Sequence, residues 1–238
     1  MGQRELTKTV RGEIELTEIE VEELNILKAK CENIPEFAIK SKYISANIPK
    51  AYWDIDWKAF RGDSEAKKLV QAYCKRLTDA LELGQGLILT GLHGTGKTTL
   101  ACLIGKEALT LGFTVRYTSV AKVLSMIMDS FDSKIIKQRL ETIFERIEIL
   151  ILDDLGKEYK GVRAQLTPMM SLKLDSILRE RINRNLITIV TTNFTLQAIK
   201  ENYGDSILSI FYGSCHPLEV KGQDYRRVKS KKFWDGLK

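Results

Sequence analysis

From residue 86 onward the chain repeats one pattern: a short apolar run, a polar turn, then a longer stretch whose apolar residues recur at helical spacing. The runs GLILT (86–90), FTVRYT (113–118), IEILILD (147–153), LITIVTT (186–192) and PLEVKG (217–222) read as strands. Helices are expected near 97–111, 119–130, 132–146, 168–184 and 195–211. Near-continuous apolar strands that alternate with helices belong to a parallel sheet covered on both faces. The reading is an α/β domain.

Ahead of this region the pattern is less regular. Thr17 and Glu20 fit a capping box, and Ile19, Leu24 and Leu27 follow at partly helical spacing, so a helix is expected over 18–31 as a separate appendage. Residues 32–63 carry Pro35, Pro49 and the aromatics Tyr52, Trp53, Trp57 and Phe60, which predicts an irregular segment wrapped onto a core. A helix from Ser64 to about Leu83 then stops at Gly84. The expected divisions are an N-terminal appendage and linker (1–50), one α/β domain (51–230) and a basic tail (231–238).

Charge sharpens this division. The net charge of the 238 residues is +6, a mild bias toward polyanions, but residues 13–23 hold six glutamates and no base, whereas bases crowd the chain after Lys221. Cys31, Cys74, Cys102 and Cys215 form no CxxC pair and only two histidines accompany them, which argues against a zinc site or a disulfide framework and for reduced thiols in the cytoplasm. No run reaches the roughly 18–20 apolar residues that span a bilayer, so no membrane partner is expected.

The turn after the first strand carries the chemistry. Gly91-Leu92-His93-Gly94-Thr95-Gly96-Lys97-Thr98 satisfies G-x-x-x-x-G-K-[ST] between a predicted strand and a predicted helix. Glycines let the backbone curl until successive N–H groups point inward, and the helix N-terminus adds partial positive charge, which together cradle a polyphosphate. Lys97 is placed to reach the β- and γ-phosphates and Thr98 to bind Mg²⁺. The nucleotide-binding set is Gly91, Leu92, His93, Gly94, Thr95, Gly96, Lys97, Thr98 and Thr99, with His93 at the rim.

Two further strand tips converge on that cradle if the sheet is parallel, because ligands bind beyond the carboxyl ends of such strands. ILILDDLG (149–156) delivers Asp153, expected to hold Mg²⁺ directly or through water, and Asp154, expected to polarise the attacking water. TIVTTN (188–193) delivers Asn193, which is placed either to orient that water or to contact the γ-phosphate.

In order and spacing, GLHGTGKT, LILDDLG, TIVTTN and the closing EVKGQDYRR resemble the DnaC/DnaI/IstB family of AAA+ ATPases, over roughly residues 50–230. The resemblance implies a P-loop fold with a five-stranded parallel sheet in the order 5-1-4-3-2, flanking helices and little or no C-terminal lid. It implies ATP and Mg²⁺ as cofactors, ATP hydrolysis, and Arg226 as an arginine contacting nucleotide. It also implies a two-helix insertion after the second strand that faces single-stranded DNA. Here residues 119–147 supply that length, with Lys122, Lys134, Lys137 and Arg139, which would otherwise read as a solvated face.

The function implied is that of a loader that binds a replicative DnaB-type hexameric helicase and places it on single-stranded DNA, with self-association possible. A transposase-regulating ATPase of the IstB kind and a nucleotide-gated helicase adaptor with little turnover are the alternatives. One departure stands out. Where the family carries the arginine finger that reaches a neighbouring subunit, this chain has Ser209-Ile210-Phe211, so hydrolysis is expected to be slow without a partner unless Arg179, Arg181, Arg184 or an arginine of the partner fills the gap.

Overall fold

The computed structural model describes residues 21–22, 34–156, 168–225 and 234–235. The expected acidic helix over 18–31 lies outside these apart from residues 21–22, which are helical, and so do Arg226 and most of the basic tail.

All five strands form a single parallel sheet: β1 (Gly86–Thr90), β2 (Val115–Ser119), β3 (Ile149–Leu155), β4 (Ile187–Thr192) and β5 (Cys215–Glu219). Their order is β2-β3-β4-β1-β5, which is the expected 5-1-4-3-2 read from the other edge.

The period-2 geometry of a strand sorts side chains between two cores. Leu87, Leu89, Ile149, Ile151, Ile187 and Ile189 face one side, where α2 (Ser64–Lys75), α3 (Leu77–Glu82) and α4 (Lys97–Thr110) cover them. Ile88, Leu150, Leu152 and Val190 face the other, beneath α5 (Val120–Asp129), α6 (Lys134–Glu145), α7 (Pro168–Asn183) and α8 (Leu196–Ser214). Burial on both faces explains why these strands read as unbroken apolar runs.

The helix expected over 64–83 is divided at Arg76, whose φ of −116° and ψ of 24° separate α2 from α3. Within α8, Gly204 adopts φ 85° and ψ 168°, a region open almost only to glycine, so that helix is two segments joined at a sharp kink. The last strand starts two residues earlier than its hydrophobic pattern suggests. Pairing with β1 begins at Gly86 opposite Cys215, and His216 and Pro217 are admitted because β5 is an edge strand, where a missing N–H costs no ladder bond.

The opposite edge is covered by α1 (Ile34–Ser45) and the turn that follows it. The Tyr117 N–H donates to the Ala46 carbonyl at 2.8 Å, Asn47 Nδ2 donates to the Tyr117 carbonyl at 2.9 Å, and Arg116 Nη1 donates to the Ser45 carbonyl at 3.0 Å. These bonds occupy polar backbone that would otherwise template another strand. Ala46 and Ile48 join the α2–α4 core, ahead of residue 51, the expected start of the α/β domain.

The aromatic segment wraps as its composition suggests. Trp53 Nε1 donates to the Ile48 carbonyl at 2.8 Å, Trp57 Nε1 to Glu107 Oε1 at 2.6 Å, and Lys106 holds the Trp53 and Ile55 carbonyls at 2.6 and 2.7 Å.

Candidate functional site

Beyond the carboxyl end of β1 the chain turns through Gly91, Gly94 and Gly96, at φ of 137°, 75° and 103°, and enters α4 at Lys97. Gly96 is the N-cap and no side chain caps the helix, and the N–H groups of a helix's first turn lie where an anion binds. Space enforces all three glycines as firmly as φ does, and a Cβ on Gly91 would lie 2.3 Å from the Val220 carbonyl oxygen. A Cβ on Gly96 would lie 2.8 Å from the Phe60 ring, and one on Gly94 would lie 1.9 Å from an Asp224 carboxylate oxygen. The segment after β5 therefore lies against the loop, and Tyr225 N–H donates to the Gly94 carbonyl at 3.1 Å.

Lys97 is buried and its ammonium is fully directed inward. It donates to the Gly91 carbonyl at 2.9 Å, the Leu92 carbonyl at 2.7 Å and Asn193 Oδ1 at 2.7 Å. The tips of β1 and β4 are thus joined through the two residues expected to sense the γ-phosphate. His93 and Leu92 stand exposed at the rim.

Asp153, at the tip of β3, is 4% exposed and three hydroxyls share its carboxylate. Thr98 Oγ1 donates to Oδ1 at 2.9 Å, Thr191 Oγ1 donates to Oδ1 at 2.6 Å, and Tyr117 Oη donates to Oδ2 at 2.5 Å. Burial, reinforced by the Asp153 charge, pushes the Tyr117 phenol far above its usual value, so it remains a donor at any physiological pH. Burial and the same carboxylate push the Cys102 thiol up as well, which makes it inert beneath the site.

Asp154 has φ 63°, one of three non-glycine residues among those described with positive φ. The register between β3 and β4 slips between Leu152 and Leu155, so this residue sits in a bulge that turns its side chain away from the alternation of the strand. Its N–H donates to Thr191 Oγ1 at 3.0 Å. One buried hydroxyl therefore anchors both aspartates. Thr192 repeats the device one residue on, donating to the Leu155 carbonyl at 2.7 Å and accepting from Phe194 N–H at 3.0 Å. Thr191 and Tyr117 carry no motif of their own. The sequence signal for Thr191 is its place two residues before Asn193; for Tyr117 there is none.

Thr98 and Asp153 fit a magnesium ion that takes its remaining ligands from phosphates and water, since Mg²⁺ commonly uses one or two protein ligands at such sites. Among the described residues no group of three or more His, Cys, Asp or Glu is placed to hold a metal unaided.

Other expected residues fall elsewhere. Lys122, Lys134, Lys137 and Arg139 are exposed on α5 and α6. Ile210 is buried on α8 with Phe211 and Ile207, so position 210 faces the core and not a neighbouring subunit. Arg181, one of the candidate substitutes for a finger, is fully buried at the opposite end of the sheet. Its guanidinium donates to the carbonyls of Phe144 at 3.1 Å, Ile147 at 3.0 Å and Ile187 at 2.5 Å and to Thr188 Oγ1 at 3.0 Å. Burial pulls its pKa down to about 9, which leaves it charged at neutral pH. Arg179 pairs with Asp175 and Arg184 with Glu180 and Glu145, all within this chain.

No helix among the described residues is long and apolar enough to cross a membrane. The chain is 27% identical over 187 residues to a putative insertion sequence ATP-binding protein of Sinorhizobium fredii, covering 75% of this chain and 70% of that protein. It is 23% identical over 149 residues to the replicative helicase loader DnaC of Escherichia coli K12, covering 58% of each. The fold matches the crystal structure of the DnaC helicase loader with a TM-score of 0.62 and 22% identity, over 73% of this chain and all of that one. The sequence profile of the IstB-like ATP-binding proteins matches residues 44–233, well over half of the chain, and the protein belongs to that AAA+ family.

Proposed function

We propose that the chain binds Mg²⁺-ATP at the β1–α4 loop and uses it as a slow-turnover switch that controls a DNA-associated partner. The observation supporting this is the bond between Lys97 and Asn193, which links the phosphate cradle to the tip of β4.

In this reading the N-terminal N–H groups of α4 and the Lys97 ammonium receive the phosphates, and Thr98 and Asp153 hold Mg²⁺. The metal supplies charge neutralisation at the phosphates. Asp154, turned out of the strand by its bulge, takes the proton of the attacking water. Asn193, released from Lys97 as the ammonium turns to phosphate, reports the γ-phosphate to β4 and α8, and Arg226 contacts the nucleotide from the segment after β5. With Ile210 in the core and Arg181 engaged at the far end of the sheet, hydrolysis has to rely on an arginine from elsewhere or proceed slowly.

The partner reading is helicase loading onto single-stranded DNA. The fold match to DnaC supports it, and so do the exposed bases of α5 and α6, Lys122, Lys134, Lys137 and Arg139, a residue type that suits a backbone-tracking contact. A second reading, regulation of a transposase on DNA, is favoured by the higher identity to the insertion sequence protein. Pull-downs with Asp154→Asn, which keeps ATP bound, decide between them. Capture of a replicative hexameric helicase supports loading, capture of a transposase supports the second reading, and capture that ignores ATP refutes the switch. Deleting residues 1–31 tests the acidic segment as the docking element: partner capture should be lost while ATP binding is kept.

A further inference from the structure

We infer that Tyr117 is a positioning residue for Mg²⁺ at the nucleotide site, acting through Asp153. The inference rests on the Mg²⁺-ATP reading above and goes beyond it, because Tyr117 belongs to none of the motifs that define the site.

The geometry follows from sheet periodicity. Tyr117 lies opposite Ile151 in the β2–β3 register, and Asp153 lies two residues further along β3, on the same face of the sheet. With strands about 4.8 Å apart and a rise of about 3.3 Å per residue, such a diagonal neighbour is roughly 8 Å away at the backbone, within reach of an aromatic side chain. The phenol spans that gap and donates to Asp153 Oδ2 at 2.5 Å, while Thr98 and Thr191 occupy Oδ1.

The two ends of the Tyr117 peptide are fixed as well. Its N–H is held by the Ala46 carbonyl and its carbonyl by Asn47 Nδ2, so the ring hangs from a backbone clamped on both sides. Packing alone does not call for a tyrosine: a phenylalanine has nearly the same volume against the core cluster on which Tyr117 packs, and the hydroxyl adds its bond to the carboxylate.

The consequence is a carboxylate held in a single rotamer with Oδ2 committed to the protein, so that it presents one defined edge to the metal. Groups that orient metal ligands in this way change metal affinity by about 10- to 100-fold when removed. Without the phenol, Asp153 is tethered through Oδ1 alone and is free to swing about that oxygen.

The test compares full-length wild type, Tyr117→Phe and Asp153→Asn. Affinity for metal-free ATP is measured by calorimetry and Mn²⁺ affinity of the ATP complex by electron paramagnetic resonance. Tyr117→Phe should bind metal-free ATP as the wild type does and hold Mn²⁺ about tenfold more weakly; Asp153→Asn should lose more. Unchanged or tighter Mn²⁺ binding in Tyr117→Phe overturns the inference and leaves the nucleotide reading standing. Equal loss of metal-free ATP binding in that variant also overturns it, because the hydroxyl would then be structural. Full Mn²⁺ affinity in Asp153→Asn, or no ATP binding by the wild type, overturns the reading on which the inference rests.

Discussion

Thr191→Val replaces the hydroxyl that serves both aspartates with a methyl of nearly the same size, so its effect isolates hydrogen bonding from packing. The side chain is 1% exposed, donates to Asp153 Oδ1 at 2.6 Å and accepts from Asp154 N–H at 3.0 Å. Losing a charge-assisted bond costs about 1.5–3 kcal/mol, and orphaning a partly buried N–H costs about 1–3 kcal/mol. Two contributions act the other way. Asp153 keeps the Thr98 and Tyr117 hydroxyls, and relief of the left-handed backbone at Asp154 returns about 1 kcal/mol. The net is about 3 kcal/mol, which lowers the melting temperature by roughly 6 to 12 °C in a domain of this size. Thr191→Ser keeps both bonds and loses a methyl, at about 1 kcal/mol. Differential scanning calorimetry without nucleotide should therefore rank wild type above Ser above Val. A valine variant as stable as the wild type, or more stable than the serine one, would refute the claim that this hydroxyl holds the two strand tips together.

Three further outcomes are expected. Lys97→Ala should weaken ATP binding roughly ten- to a hundredfold in calorimetry, from loss of a charge-assisted contact of about 1.5–3 kcal/mol; equal affinity would remove the cradle assignment. Arg181→Met leaves the Phe144, Ile147 and Ile187 carbonyls without their donor and should cost more than about 3 kcal/mol in urea denaturation, against less than about 1 for a paired surface arginine such as Arg184→Met. Burial acts to raise the Asp63 pKa, but backbone N–H groups of Lys221, Ala66 and Glu65 outweigh it and hold the carboxyl below its ordinary 3.8. A lowered folded-state pKa means that Asp63 contributes stability above that value and loses it as pH falls toward the folded one. Asp63→Asn should flatten the acid limb of the stability–pH curve, and an unchanged limb would show that the tie to Lys221 does not matter.

Motif residues proved easier to locate than the groups that hold them. Gly91–Thr98, Asp153, Asp154 and Asn193 are recognisable one strand tip at a time, because each tip pairs an apolar run with a polar residue whose chemistry is specific. The side chains that hold these groups come from other strands. Tyr117 and Thr191 sit 36 and 38 residues from Asp153; nothing local distinguishes Tyr117 from an ordinary strand residue, and Thr191 is marked only by its place before Asn193. Asp154 reads as half of an acidic pair, yet its role depends on a bulge produced by the β3–β4 register. Ile210 reads as a vacant finger position, whereas the turn of α8 buries it.

Hydrophobic periodicity and the spacing of glycine, lysine and acid thus determined the α/β class, the alternation of elements and the nucleotide chemistry, since these depend on neighbours within a few residues. The start of β5 at Cys215 was decided by pairing with β1, the division at Gly204 by backbone conformation, and the confinement of Arg181 by the meeting of α6, β3 and β4. Each of these depends on which backbone polar groups and which side chains are brought together across the sheet, a free-energy balance that exists only once distant segments share one interior.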